Sequence, residues 1–317
     1  MQTAILFSAM LVLIAMESCA SFLVYPRILE SRADDGSLLL HIHEGLTLSL
    51  EKTSILAEDF IITSSTGFDS DAVVLYGREL EKNLYHDKHH QSALVVMTTY
   101  GGLQIRGMLN PELRIAPVVG SQRSNGPTLH EVVNITKRAD SSSEQPAATE
   151  DIPVPKEDEK NEADETQTER PKKHPMKFIV ETCFVVGPKY ESAFSTIYDL
   201  IGYISAMLNA VALRFLDMTQ PKVRFQLNKV IRNMSDMIIK RTNNGTDIDA
   251  EATLDTMKEH ARRGAFRECD IAVLLTSEDL VLVGNNTIGK DIDGMAFIGG
   301  VCGEEKVGVA EDRPPTY

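Results

Sequence analysis

The residues best spaced for metal chemistry are the histidines of the segment His86-Asp87-Lys88-His89-His90. Two histidines four positions apart on a helix project from one face and can bind zinc, while a neighbouring acid serves as general base. Here a run typical of a β-strand begins soon after His90, no helical periodicity surrounds the segment, and no third ligand follows. The sequence therefore favours a solvent-exposed turn over a zinc site.

The other histidines support no catalytic assignment either. His130-Glu131 begins like the same zinc motif, but Asn134 stands where the second ligand should be. His41 and His43 share one strand face, which favours a surface pair. Residues 176–317 contain a single histidine, His260, and no Gly-x-Ser-x-Gly elbow or P-loop occurs in the sequence. We therefore assign no catalytic residue from the sequence.

Length, charge and the N-terminus indicate a secreted protein of about two domains. The chain has 317 residues and a formal net charge of −14, which argues against a nucleic-acid partner. Residues 1–20 are expected to be a signal peptide, with an apolar core at Ala4–Met16 and small residues at Ser18 and Ala20. Cleavage would leave an extracellular protein without a membrane anchor. Candidate glycosylation sites are Asn134, Asn233, Asn244 and Asn285.

Residues 21–138 are expected to form a β-rich unit. Leucine and isoleucine alternate with polar residues on both sides of His43-Glu44-Gly45, which predicts a hairpin. Further strands are predicted at Ala93–Thr98, Leu103–Met108 and Glu112–Val118. Residues 139–173 contain eleven acidic residues, five basic residues and four prolines, so they are expected to be a disordered linker. The basic pairs Lys137-Arg138 and Lys172-Lys173 flank it as candidate processing sites.

Residues 174–317 carry a different pattern. Phe178–Val186 is an almost continuous apolar run, as in a strand buried on both faces. A helix is predicted to open at Pro188 and another to span Ala250–Arg263, with strands at Val223–Leu227, Ile271–Leu275 and Met295–Val301. Strands that alternate with helices predict a mainly parallel sheet. The expected fold class is α+β overall, with a β-rich N-terminal domain followed by an α/β domain.

The end of the chain resembles the reprolysin (adamalysin-type) metalloproteases of the metzincin superfamily, particularly those of tick saliva. In this family a Gly-x-Ala-x-x-Gly-x-x-Cys edge strand and a Val-Gly-x-x-x-Asp segment precede the H-E-x-x-H zinc helix. The matching residues are Gly294, Ala296, Phe297, Gly299, Gly300, Cys302, Val307, Gly308 and Asp312. Residues 21–138 also resemble the reprolysin propeptide, although they lack its usual zinc-blocking cysteine.

The resemblance implies a secreted zinc metalloendopeptidase precursor, a zymogen whose substrates are extracellular proteins. Residues 174–317 would then be the N-terminal part of the catalytic domain. The zinc ligands and the general base are absent from the sequence, so the resemblance leaves open whether this chain is an active hydrolase. The alternative is a non-catalytic secreted protein that binds or inhibits proteases or host proteins. The substrate-binding edge strand would comprise Gly294, Met295, Ala296, Phe297, Ile298, Gly299 and Gly300, and the non-catalytic protein would use either this strand or the propeptide.

The resemblance also bears on calcium and on the cysteines. In several reprolysins a Glu and an Asp at the positions of Glu181 and Asp270 bind calcium, which gives a partial calcium site here. The family places a disulfide at Cys302, whose partner is missing from the sequence. Cys183 and Cys269 could pair with each other. However, side-chain alternation along regular strands conflicts with both this disulfide and the shared calcium site, so we interpret Cys183 as a buried thiol.

Overall fold

A computed structural model describes residues 21–32, 34–65, 70–118, 127–135, 177–240, 247–284 and 287–314. The expected signal peptide, the acidic segment 139–173, and the candidate glycosylation sites Asn244 and Asn285 lie outside the described residues. Within the described ranges the protein has an α+β fold that is rich in strands. This agrees with the mixed fold class expected from the sequence.

The elements of the N-terminal half are mainly strands. In chain order they are β1 (Ser21–Val24), β2 (Arg27–Ser31), β3 (Leu38–His43), β4 (Leu46–Lys52), β5 (Leu56–Ser65), β6 (Ser70–Tyr76), the short helix α1 (Gly77–Leu80), a 3₁₀ turn (Glu81–Asn83), β7 (Leu84–Asp87), β8 (Ser92–Thr99), β9 (Gly102–Met108), β10 (Leu113–Pro117) and β11 (His130–Asn134).

The C-terminal half alternates strands with helices. Its elements are β12 (Lys177–Val186), α2 (Pro188–Glu191), α3 (Ile197–Arg214), β13 (Lys222–Arg232), β14 (Ile248–Asp249), α4 (Ala250–Arg262), β15 (Ile271–Thr276), β16 (Leu280–Gly284), β17 (Thr287–Ile292), β18 (Gly294–Ala296) and β19 (Val307–Glu311).

Nine N-terminal strands of the described residues form one antiparallel sheet in the order β1-β11-β10-β9-β8-β7-β4-β3-β2. The predicted hairpin is confirmed, with Leu38 opposite Leu50 and Leu40 opposite Leu48, and all four side chains are buried. The predicted strands at β8, β9 and β10 are also confirmed. A ring contact of 5.4 Å between Phe22 of β1 and His43 of β3 shows that the sheet curls around its own apolar core.

A second sheet of seven described strands has the order β18-β19-β15-β12-β13-β5-β6. The five strands from β19 to β5 run parallel, and the outer strands β18 and β6 are antiparallel to their neighbours. The predicted strands at β12, β13 and β15 and the predicted helix at α4 are therefore confirmed. In the sheet, the parallel neighbour of β15 on this side is β19. The strand predicted at Met295–Val301 corresponds to the shorter antiparallel strand β18.

The seven-stranded sheet contains residues from both sides of the acidic segment. β5 and β6 belong to the expected propeptide, yet β5 pairs in parallel with β13, with Leu56 opposite Leu227 and Ile62 opposite Val230. Phe60 and Ile62 of β5 are buried in the same core as Phe184 of β12. The domain boundaries predicted at residues 138 and 174 therefore do not coincide with the division between the two sheets.

Helix α3 lies between the two sheets. The sequence predicted one helix from Pro188, but the chain forms α2 and then restarts at Thr196, whose Oγ1 accepts a hydrogen bond from the Asp199 N–H at 3.1 Å. Leu200 and Ile204 pack in the core of the seven-stranded sheet, while Leu213 packs against the nine-stranded sheet. A helix apolar on two faces can cover two sheets at once.

Helix α4 covers the opposite face of the seven-stranded sheet. Successive side chains along β12 point to opposite faces. Phe184 therefore faces the core that contains α3, and Val185 faces the core that contains Leu254 and Met257 of α4. Asp249 caps α4 by accepting a hydrogen bond from the Ala252 N–H at 3.0 Å. This two-sided cover explains why β12 is apolar along most of its length.

Candidate functional site

One end of the seven-stranded sheet is the antiparallel strand β18, which pairs with β19 on one side only in the part of the chain that the structure describes. Met295 packs against the core beneath α4, whereas Gly294 and Ala296 are exposed. Because the exposed side chains are a hydrogen atom and a methyl group, a second backbone could approach this strand closely.

The edge strand is shorter than the sequence predicted, because Phe297, Ile298, Gly299 and Gly300 form a loop after Ala296. Gly299 has φ +74°, a left-handed conformation that interrupts strand geometry. A Cβ added at Gly300 would collide with the backbone carbonyl of Glu305, so the loop folds tightly on itself. Phe297 packs under Lys258, whose Nζ lies 4.6 Å from the ring centroid, and Ile298 is 95% exposed.

Cys302 anchors this loop to the start of β15. Its backbone N–H donates to the Asp270 carbonyl at 3.0 Å, and its Sγ lies 3.2 Å from Asp270 Oδ1. The thiol is exposed and free of a disulfide within the described residues. The hydrogen bond to Asp270 raises the pKa of the Cys302 thiol, and burial adds to this rise. The thiol therefore stays protonated near neutral pH, which makes it a weak nucleophile.

Glu181 and Asp270, the expected partial calcium site, are neighbours, and two hydrogen bonds join them. Asp270 Oδ2 accepts the Glu181 N–H at 2.9 Å, and the Asp270 N–H donates to the Glu181 carbonyl at 2.7 Å. With Oδ1 in contact with Cys302, both carboxylate oxygens of Asp270 already have partners. Asp270 therefore clamps β12 to the start of β15, and the partial calcium site stays a prediction.

Cys183 and Cys269 form a disulfide, so the interpretation of Cys183 as a buried thiol is wrong. Their Cα atoms lie 5.8 Å apart, within the usual range for disulfides. The alternation argument failed because Cys269 precedes β15, which begins at Ile271, and Cys183 pairs in register with Ala272. Cys269 is thus free of strand geometry, and its side chain can reach Cys183 while Asp270 contacts Glu181.

The sequence predicted a solvent-exposed turn at residues 86–90, which is correct for Lys88 and His89 only, because His86 and Asp87 belong to β7. Asp87 is buried and accepts hydrogen bonds from the backbone N–H groups of Ser49, His89 and His90. Burial lowers the pKa of His86. Since the acid serves the turn and the two histidines lie on a strand and a turn, the segment lacks the helical geometry of the H-E-x-x-H motif.

His130 is fully buried and has a structural role. Its Nε2 accepts the Ile105 N–H at 3.0 Å, and its Nδ1 lies 3.0 Å from the Thr128 carbonyl, which fixes the neutral tautomer protonated at Nδ1. Burial lowers the pKa of His130, in keeping with a neutral ring. His41 contacts Thr47, and His43 contacts the Glu44 carbonyl, both at the surface.

A buried charge cluster that the sequence did not reveal lies beside the end of β19. Asp312 is 7% exposed and accepts hydrogen bonds from Arg114 at 2.9 Å and from Tyr190 at 2.7 Å. The Tyr203 hydroxyl donates to Asp312 at 3.1 Å and accepts from Arg114 at 2.8 Å. The four side chains come from β10, α2, α3 and the residue after β19, so the cluster joins the two halves of the chain.

The protonation states of this cluster follow from its burial and charges. Burial raises the pKa of Tyr190 well above its ordinary value, and the nearby Asp312 carboxylate raises it further, so the phenol remains a donor. Burial lowers the pKa of Arg114, but Tyr203 and Asp312 outweigh this effect and raise it overall. Arg114 and Asp312 are thus a charged pair inside the fold, and Tyr190 and Tyr203 complete its hydrogen bonds.

The described candidate glycosylation sites differ in accessibility. Asn233 is exposed directly after β13 and has φ +58°, a left-handed conformation that asparagine tolerates. Asn134 is half-buried at the end of β11, and its Oδ1 is buried without a hydrogen-bond partner. Of these two, Asn233 is the position better placed to accept a glycan.

The described residues do not fit a bound zinc ion. No group of three or more His, Cys, Asp or Glu side chains among them is placed to hold a metal. No helix in the described ranges is both long and apolar enough to cross a membrane.

No protein-family model matches the chain, and no curated protein matches its sequence significantly. A family assignment therefore depends on the motifs and on the sheet topology.

Proposed function

We propose that this chain is the precursor of a secreted reprolysin-type zinc metalloendopeptidase, with residues 21–138 as propeptide and residues 174–317 as the N-terminal part of the catalytic domain. The observation that carries the proposal is the position of β18. It is an antiparallel strand at the outer edge of a sheet whose next members, β19, β15, β12 and β13, are parallel. The resembling family uses such an edge to hold substrate.

The geometry of β18 suits the binding of an extended peptide. A peptide that adds to a sheet edge is held by main-chain hydrogen bonds, which tolerate many side chains. Met295 is turned into the core and fixes the strand, while the exposed Gly294 and Ala296 leave room for the incoming chain. The disulfide between Cys183 and Cys269 and the contact between Cys302 and Asp270 hold the neighbouring segments in place.

The proposed function requires zinc, but the described side chains do not provide its ligands. Residues other than those described would therefore have to bind it. We therefore assign no catalytic step to the described residues. Their part in the proposed function is to build the sheet and to bind the substrate chain.

A second candidate function is a non-catalytic secreted protein that binds or inhibits proteases or host proteins. The exposed side chains of Ile298 and Val301, 95% and 53% accessible, favour it, because they place apolar surface next to the free edge of β18. Such a surface beside a free strand edge is typical of a protein-binding site. A binding protein of this kind would use either β18 or the propeptide segment, whereas the protease requires that β18 bind an extended chain.

Replacing Ala296 by Pro is expected to weaken binding of an extended peptide at least about tenfold, because proline lacks the N–H that a strand ladder uses. Binding would be measured by fluorescence polarisation with a labelled peptide library and the full chain. The matched control is Val73→Pro in β6, the exposed strand at the opposite end of the same sheet. Binding that is lost with Val73→Pro and kept with Ala296→Pro would place the peptide at the wrong edge.

Alternate N-methylation of the bound peptide provides the second half of this test. Only every second N–H of an added strand faces its neighbour. One methylation register should abolish binding, and the other should leave it nearly unchanged. Equal binding of both methylated peptides would exclude strand addition at β18.

A further inference from the structure

A cavity of about 350 Å³ lies between the nine-stranded sheet and α3. One wall comes from β8, in which Leu94 and Val96 point into the core of the sheet, so Val95 and Met97 point to the opposite face and line the cavity. Ile201 of α3 forms part of the facing wall. The volume is at the lower end of the range of about 300–1,000 Å³ that is usual for small-molecule sites.

Gly202 of α3 keeps this space open. A Cβ added to Gly202 would lie 3.4 Å from Val95 Cγ2, so even the smallest side chain would reach across to β8. Glycine inside a helix is less stable than alanine at the same position. The helix therefore accepts a loss of stability at the position where a side chain would narrow the cavity.

The lining of the cavity includes aromatic and acidic residues. Phe194 and Tyr203 line it with ring centroids 5.3 Å apart, and Tyr198 adds a third ring that is 62% exposed. The acidic residues Asp199 and Glu79 also line the cavity, and Glu79 is largely exposed and pairs with Lys82. Aromatic faces and carboxylates both attract cations.

Asp199 is placed to receive a further hydrogen-bond donor. Its Oδ1 accepts from Arg106 Nη1 at 2.7 Å, and its Oδ2 accepts from Thr196 Oγ1 at 2.9 Å. Each carboxylate oxygen carries two lone pairs, so each can accept one donor more. The Asp199 side chain is 18% exposed, which makes it reachable from the cavity while shielding it from bulk water.

We propose that this cavity binds a small amphipathic amine. The apolar body of the ligand would lie against Val95 and Met97, and its ammonium group would meet Asp199 and the face of Tyr198. The charges favour an amine over an acid, because the cavity lining contains two carboxylates, Asp199 and Glu79, and one cation, Arg106, which is paired with Asp199. The net charge of −14 also repels anions from the protein as a whole.

Three probes of one shape separate the charge of the ligand from its apolar contacts. Phenethylamine, phenethyl alcohol and phenylacetate share a ring and chain but are cationic, neutral and anionic at neutral pH. We expect isothermal titration calorimetry on the full chain to show binding of the amine, with the alcohol weaker by about tenfold and no binding of phenylacetate. Equal affinity for all three probes, or tightest binding of phenylacetate, would overturn the proposal.

Substitutions then locate the site. Met97→Trp should abolish amine binding by filling the cavity, whereas Thr98→Trp on the adjacent exposed position should not. Gly202→Ala should weaken binding of the amine, because the added methyl group narrows the cavity. It should also raise the melting temperature, because the methyl group makes an ordinary contact with Val95 and alanine favours the helix. Glu79→Gln should weaken binding of the amine more than Glu58→Gln does, because Glu58 is an exposed acid outside the cavity lining. Amine binding that survives Met97→Trp would place the ligand elsewhere and refute the proposal.

Discussion

Replacing Asp312 by Ala is expected to lower the free energy of unfolding by about 3 kcal/mol, because it leaves the charge of Arg114 without its buried partner. The substitution also removes the acceptor of the Tyr190 and Tyr203 hydroxyls. Since Arg114 comes from β10 and Asp312 follows β19, the loss should loosen the contact between the two halves of the chain. Denaturant-induced unfolding followed by circular dichroism measures the change.

A double-mutant cycle distinguishes the lost pair from an unpaired charge. Arg114→Met combined with Asp312→Leu should be less destabilising than either single substitution, because apolar side chains of similar size leave no uncompensated charge. The matched control is Asp279→Ala, which removes an exposed ion pair with Arg313 and should cost about 1 kcal/mol or less. If Asp312→Ala costs no more than this control, the cluster does not join the two halves of the chain.

Removing the disulfide by replacing Cys183 and Cys269 with Ala is expected to destabilise the protein by about 4 kcal/mol, because the bond closes a long loop in the unfolded chain. The two cysteines are 86 positions apart, and the loop contains α3, β13 and α4. Thermal and denaturant unfolding of the oxidised protein and of the variant measure the difference.

Cys302→Ser is the matched control for the disulfide, because Cys302 is exposed and unbonded within the described residues. It should change the stability little. A reducing agent should lower the stability of the wild type and of Cys302→Ser equally and should leave the Cys183→Ala/Cys269→Ala variant unchanged. A reductant effect that disappears in Cys302→Ser instead would show that Cys302 forms the bond that matters.

The sequence predicted those elements whose pattern is local. The alternation of Leu38, Leu40 and Ile42 identifies β3, and the unbroken apolar run of Phe178–Val186 identifies β12, because each follows from the burial of one strand. The parallel order of the central strands follows from their alternation with helices. The start of α3 was misplaced, since Pro188 suits the first turn of a helix and Thr196 becomes a cap only through its own backbone geometry.

Contacts between distant residues could not be predicted. Arg114 and Asp312 are 198 positions apart, and no pattern in the sequence pairs them. The parallel pairing of β5 with β13 was missed for the same reason, because a strand pattern shows which face is buried and not which strand lies beside it. The sequence predicted a strand at Met295–Val301, but the same glycine-rich composition fits both a strand and the tight loop at Gly299 and Gly300.

The most direct test of the proposed function is the nucleotide sequence of the transcript past the codon of Tyr317. The proposal predicts an open reading frame that continues into H-E-x-x-H-x-x-G-x-x-H, followed by a cysteine available to Cys302. The longer protein should then bind zinc and show chelator-sensitive peptidase activity. A reading frame that stops at Tyr317, or that continues without this motif, would contradict the protease precursor and leave the secreted binding protein as the function.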